Sequence, residues 1–463
     1  MARFPDLGPA PRRRHKHGRR RDVTASGVRI PHARLIMAAA AIVASAAILW
    51  LSRGYTFYFD EWSFILTAPD WTAVTYLQPH NEHPSILFRL VYAALLDTVG
   101  LRSYLPYMAV LLLLHSINVV LLFELVRRRA GDLIGVFAAA MLLVLGAGWE
   151  DILWAFQIAW LASVALGLAM FIVLQPSRTP RRLALAAGLV TGSLMFSGIG
   201  LAFAAGAAVT LFAQRGRRQD VLWLAPVAVA LAAWYVAFGR DATPPNPPPS
   251  AANIVQLPVY ALWGLGAAAS GLAGLTGDAA PLFLAAAAGA LGWTWWRHHP
   301  DPTALGTAAG LVSFFLVTGL ARAQFGYHQA ASGRYVYVAA VFWLILLADA
   351  ARGLPWRGTW RPALVACVFL ACFNSGVLLF TYAVAKDAQM QREGADLYAL
   401  RTARHDPCLD PNGAVDPLVM PLVTSPAIYY RAIDLYGDPA LDQPLVDHAR
   451  FAVARANLVK PVC

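Results

Sequence analysis

Three short stretches of this 463-residue chain gather the residue types that move protons and hold anions. The first is Tyr58-Phe59-Asp60-Glu61-Trp62, followed by Gln78-Pro79-His80-Asn81-Glu82-His83-Pro84. The second is Trp149-Glu150-Asp151-Ile152. The third runs from Arg322 through Gln324, Tyr327, His328 and Ser332 to Arg334 and Tyr335. A carboxylate at an apolar boundary loses hydration, its pKa rises, and it becomes a competent general base. Two adjacent carboxylates repel unless they share a proton or a cation, and a divalent ion, Mg or Mn, is one option at the two acidic pairs. Arg322 and Arg334 are planar donors suited to a phosphate oxyanion, and Tyr327, His328 and Ser332 add hydrogen-bond donors. The competing reading takes the acids as helix-end markers, the tryptophans as an interfacial belt, and the arginines as snorkelling or paired with Glu150 or Asp151. The clustering of two acidic pairs with aromatic flanks favours chemistry.

His80-Asn81-Glu82-His83 lacks the His-Glu-x-x-His spacing of a helical zinc site, and no further cluster supports one, so no protein-bound metal is assigned. Pro84 instead reads as the start of a helix over Ser85 to Val99 that lies on a membrane surface, with His83 at its entrance, and His83 and Glu82 are candidates for substrate binding.

What must position these groups is a membrane bundle. Hydrophobic residues make up 58% of the chain and charged residues 14%, with a mean hydropathy of +0.53, which excludes a soluble enzyme. A span needs roughly 20 predominantly apolar residues, and many such runs lie between Leu35 and Val384. The 183–213 run is too long for one span and is flanked by arginines at both ends (Arg178, Arg181, Arg182; Arg215, Arg217, Arg218), so it reads as two short helices turning at Ser197-Gly198-Ile199-Gly200. The count becomes about eleven transmembrane helices in an all-α polytopic protein. Segments assigned to the cytoplasm hold 23 of the 37 Lys/Arg but only five of the 26 Asp/Glu, which puts the acidic motifs and the C-terminus outside.

The net charge of +11 is not a nucleic-acid signature, because residues 1–34 carry ten Lys/Arg against two Asp/Glu. That arm reads as disordered and cytoplasmic, facing anionic lipid headgroups. Residues 35–384 form the bundle, with 53–103 as a long first external loop, and 385–463 a small external region. Pro244 to Pro249 is an extended linker, and 251–275 is expected to lie as an external interfacial helix. Cys408 and Cys463 sit where an oxidising compartment lets them pair, and Ala427 to Ala432 and Val446 to Leu458 read as short helices in a tail whose acids form a solvated surface.

An acidic residue just after the first span, juxtamembrane helices, a second acidic pair in the next external loop, and a late Gly333-Arg334-Tyr335 at a span entrance resemble the GT-C superfamily of multispan glycosyltransferases. The resemblance covers residues 35 to about 384 as an architecture. It implies a polyprenyl-phosphate sugar as donor, with Asp60 as the base that activates the acceptor and Glu61 as the adjacent candidate. Glu150 and Asp151 correspond to acids that hold a metal or the acceptor, and Arg334-Tyr335 to donor phosphate binding. The chain departs from the pattern in lacking Asp-x-Asp in either loop and a large C-terminal domain. The expectation is therefore transfer of a sugar to a glycan or lipid acceptor at the external face of a bacterial plasma membrane. The alternative is a transporter or flippase of a lipid-linked or anionic solute. No nucleotide fingerprint is present.

Overall fold

The computed structural model describes residues 27–175, 178–240, 250–440, 444–460 and 463. The basic arm over residues 1–26 and the Pro244–Pro249 linker lie outside the described residues. The described residues are mostly helical, with one short hairpin and an isolated antiparallel bridge between Leu409 and Val459. Among the described residues, by length and composition, eight helices can cross a membrane, or nine if a bent pair counts as one span. This is fewer than eleven, because several apolar runs make half-length helices.

The first helix, α1 (Ala33–Leu51), leads into α2 (Asp60–Thr67) and the short α3 (Ala73–Leu77). Strands β1 (Pro79–His80) and β2 (His83–Pro84) pair antiparallel, with His80 opposite His83. The following helix, α4 (Ile86–Thr98), begins two residues after Pro84, so the proline belongs to the hairpin and does not start the helix. Next come α5 (Leu105–Ala130) and α6 (Asp132–Leu143), joined at Gly131, whose φ of 90° an L side chain rarely adopts. The chain then bends by 47° into α7 (Trp149–Leu153). At that bend Gly146 lies against the backbone of Ser375 and Leu379, leaving no room for a side chain.

The buried centre is α8 (Ile158–Leu174), and beside it α9 (Pro180–Phe196) and α10 (Gly200–Phe212) form a hairpin that turns at Ser197 to Ile199. The hairpin's open end is closed by Arg178, which donates to the carbonyl of Thr210 at 3.1 Å. The periphery holds α11 (Ala225–Trp234), and α12 (Ala251–Gly271) follows. Although α12 is long and apolar enough to span, its contacts keep both of its ends at one end of the bundle. Asn253 donates to the Leu320 carbonyl at 2.8 Å, while Gly271 packs on Ala147 and Val336. Next come α13 (Ala280–Arg297) and then α14 (Pro302–Arg322) and α15 (Gly333–Ala351), the last two long and apolar enough to cross.

The 44-residue α16 (Trp360–Ala403) runs without interruption past Ala385, so the C-terminal region begins inside a helix. Its Phe369, Phe373, Val377, Phe380 and Val384 are more than half exposed, an apolar stripe suited to lipid contact. The chain ends with α17 (Pro426–Tyr436) and α18 (His448–Leu458), and Cys408 is disulfide-bonded to Cys463 with a Cα separation of 5.4 Å. The tail's acids are not all a solvated surface. Asp396 and Asp416 are buried, and Arg450 pairs with Asp416. The tail packs on the first loop through Trp62 and Tyr429, whose rings lie 5.6 Å apart, and through an Arg431–Asp70 pair at 2.9 Å.

Charge knits the other end of the bundle. Arg129 pairs with Asp301 at 2.9 Å and with Asp349, Arg352 pairs with Asp349 at 2.7 Å, and Glu124 takes Arg34 at 2.9 Å and Arg128 at 2.7 Å. Asp301 also caps α14 by accepting from the amide of Ala304 at 2.9 Å. Helices α5, α6, α14 and α15 are thus pinned at one end, while at its other end α6 leads to Glu150 and Asp151, α14 ends at Arg322 and α15 begins beside Arg334.

Candidate functional site

A cavity of about 630 Å³ opens between the first loop, the tip of the α9–α10 hairpin and the facing ends of α14 and α15. Its rim is polar, with Asp60, Glu82, His83, Arg322, Arg334 and Tyr335 contributing. Its lower wall is apolar, built from Phe196, Ile199, Phe314 and Val317. Gly198 at the hairpin tip lies directly against the His83 ring, which occupies the space a Cβ would need. The glycine that permits the turn therefore also admits the histidine.

Asp60 is the first residue of α2, preceded by Phe59 at φ 49°, a left-handed conformation that a phenylalanine rarely adopts. Its carboxylate accepts no hydrogen bond among the described residues. Burial raises its pKa above the ordinary aspartate value, and the charge of Arg334 pulls it partly back.

Adjacent positions on a helix point about 100° apart, and Glu61 turns into the protein. Fully buried, it accepts from the amide of Tyr58 at 2.9 Å and from the hydroxyls of Tyr92 and Tyr104 at 3.0 Å each. Burial pushes its pKa up to about 8, against the downward pull of those three donors. Tyr104 in turn accepts from the amide of Ala155 at 2.9 Å. Glu61 is therefore a bracket that fixes the Asp60 turn to the segment after α7. It does not line the cavity, which corrects its assignment as a second catalytic acid.

The two arginines line the same cavity as Asp60. Arg322 makes a two-pronged pair with Glu82, both contacts at 2.8 Å, joining residues 240 positions apart. Glu82 is held below the ordinary glutamate range by that pair, although burial pushes the other way. Arg334 reaches Glu150 at 3.4 Å, and Glu150 accepts from the amide of Gly333 at 3.1 Å. Tyr335 stacks on Trp160 with centroids 5.8 Å apart.

Glu150 and Asp151 do not line the cavity. Glu150 sits behind Arg334, and Asp151 is fully buried with neither oxygen hydrogen-bonded among the described residues. His328 is also off the cavity, packed on Tyr327 and Trp263 at 4.1 and 5.1 Å. The acids fit a divalent cation poorly. Glu82 and Glu150 each face an arginine, and among the described residues no three His, Cys, Asp or Glu side chains converge.

Lys386 plays a part that composition alone does not signal. Nearly fully buried on α16, it sits 3.1 Å over the Tyr58 ring and 5.8 Å from that of Trp154, bracing the turn from the side away from the cavity. It is one of only three lysines in the chain and ends the last apolar run, and that position is the signal that could have marked it. His83 and His80 are both held below the ordinary histidine pKa chiefly by burial, His80 at about 4, so both rings are neutral near pH 7.

No known protein-family profile matches the chain, and no curated protein does. Among solved structures it is similar to the crystal structure of ArnT from Cupriavidus metallidurans bound to undecaprenyl phosphate, at 16% identity and a TM-score of 0.45, with 88% of this chain and 76% of that chain covered.

Proposed function

We propose that this chain is an integral-membrane glycosyltransferase that moves a sugar from a polyprenyl-phosphate donor to a glycan or lipid acceptor at the external face of a bacterial plasma membrane. The observation that carries the reading is one cavity lined together by Asp60, Arg322 and Arg334 and by apolar side chains of the hairpin and α14. A carboxylate free of hydrogen bonds suits proton abstraction, paired guanidinium groups suit a departing phosphate, and an apolar wall suits the first isoprene units.

In this mechanism Asp60 takes the proton of an acceptor hydroxyl as that oxygen attacks the anomeric carbon. The bond from the anomeric carbon to the phosphate oxygen breaks, and the lipid phosphate leaves with the electron pair. Arg322 and Arg334 stabilise its growing charge. Arg322 is released to it when the phosphate displaces Glu82. One displacement inverts the anomeric configuration. Glu82 and Glu150 each face an arginine, and the step as written uses only side chains of this chain.

The test is sugar transfer in reconstituted liposomes, from a panel of radiolabelled polyprenyl-phosphate sugars to a crude membrane acceptor fraction. Wild type should transfer from at least one donor and Asp60→Asn should not. Labelled lipid that changes leaflet without releasing sugar would replace this reading with a flippase.

A further inference from the structure

A second hollow, of about 280 Å³, shares His80 with the first in its lining. Asp60, Ser63, Phe64 and Thr67 share one face of α2, spaced at the three- and four-residue intervals that align on a helix. Asp60 lines the main cavity, while Ser63, Phe64 and Thr67 line the hollow, and His80 lines both. The face that presents the base therefore continues directly into the second space.

The lining is the kind that binds a sugar. Ser63 donates to the Asp60 carbonyl at 2.6 Å, and Thr67 donates to the Ser63 carbonyl at 2.6 Å while accepting from the Trp71 indole at 3.1 Å. Both hydroxyls are thus held in fixed orientation with lone pairs to spare. Gln78 brings an exposed amide. His80 holds its Nε2 buried without a hydrogen-bond partner. Arg89, also nearly buried, donates to the carbonyls of Gln78 and Pro79 and so fixes that wall. Polar groups convergent on an aromatic-walled space, with one buried polar atom unsatisfied, mark a binding site for a polyhydroxylated ligand. At about 280 Å³ the hollow is less than half the volume of the main cavity.

We propose that this hollow is a subsite for the second sugar of a glycan acceptor, the residue next to the one whose hydroxyl meets Asp60. The assignment rests on the transferase reading above and narrows it, because it makes the acceptor a glycan of at least two sugars.

The experiment is calorimetric binding to the detergent-solubilised full chain, with no donor lipid present. The probes are methyl glycosides of a panel of neutral monosaccharides and the matching disaccharides. In wild type at least one disaccharide should bind about tenfold more tightly than its monosaccharide, the gain of one to two well-made hydrogen bonds. Thr67→Leu, which fills the hollow from an exposed position, and Gln78→Ala should each shrink that ratio, with unchanged thermal unfolding as the folding control. Equal binding of monosaccharide and disaccharide across the panel in wild type would overturn the subsite, as would a ratio that survives both variants. Binding without a donor does not depend on catalysis. A tenfold ratio without any sugar transfer would leave the subsite and remove the transferase. Transfer without the ratio would do the reverse.

Discussion

The two ends of the bundle hold the same side chains to opposite effect. At the end built around Arg129, the guanidinium is almost fully buried and faces both Asp301 and Asp349, with Arg352 completing the group. At the end built around Asp60, the carboxylate has no hydrogen bond among the described residues, and Arg334 reaches Glu150 only at 3.4 Å. A mutually satisfied ionic group holds helices together, and losing one member leaves a stranded charge. An unsatisfied group at a cavity rim is held ready for something that arrives. The difference separates charges that build the protein from charges that serve a ligand, although residue type is the same in both.

The sharpest break of this contrast is Asp60→Asn, which should lower sugar transfer by about 10²–10⁴-fold with an unchanged unfolding midpoint, as expected for loss of a general base. Near-wild-type turnover would show that the free carboxylate has no catalytic part. Arg129→Met at the other end should do the converse. It should cost about 1–3 kcal/mol of stability, because Asp301 is 42% exposed and Arg352 still holds Asp349, while transfer per folded molecule stays the same. A stable but inactive Arg129→Met protein would dissolve the distinction.

A finer test uses pH. If deprotonated Asp60 is the base, activity falls as pH drops through its raised pKa, so the acid limb lies above that of a solvent-exposed aspartate. Arg334→Gln removes the charge that holds that pKa down. The acid limb should therefore move further up, alongside a loss of about 10²–10³-fold in turnover from the missing phosphate donor. A limb that stays in place would separate Arg334 from Asp60.

Much of this was legible in the chain, because it rests on local chemistry. The glycine turn at 197–200 follows from a run too long for one helix and too short for two full spans, and the Asp60 position follows from a carboxylate beside an apolar segment. Helical rotation alone separates Asp60 from Glu61, yet it does not say which of the two faces inward. Pairings across long separations left no trace, among them Arg322 with Glu82 and Lys386 over Tyr58, since they depend on how distant helices meet. The continuity of α16 beyond Ala385 was written locally. From Lys386 to Ala403 the chain has good helix formers and no proline, and a change from apolar to polar composition does not end a helix.

Glu61 offers the smallest and most specific test, because it is the satisfied neighbour of an unsatisfied residue. Its pKa is about 8 in the folded protein and lies in the ordinary carboxylate range when unfolded. Between those values the native state keeps a proton that the unfolded state has lost. Stability contributed by protonated Glu61 is therefore full at pH 4 and drains away as pH rises toward 8, with a slope of up to about 1.4 kcal/mol per unit. Glu61→Gln keeps an uncharged acceptor for the tyrosine hydroxyls and cannot titrate. Its unfolding midpoint in detergent should fall less between pH 5 and pH 8 than that of wild type, with the two proteins closest at pH 5. Parallel curves would mean that Glu61 is already ionised in the folded state and that its three donors outweigh burial. The bracket on Asp60 would then be a charged one.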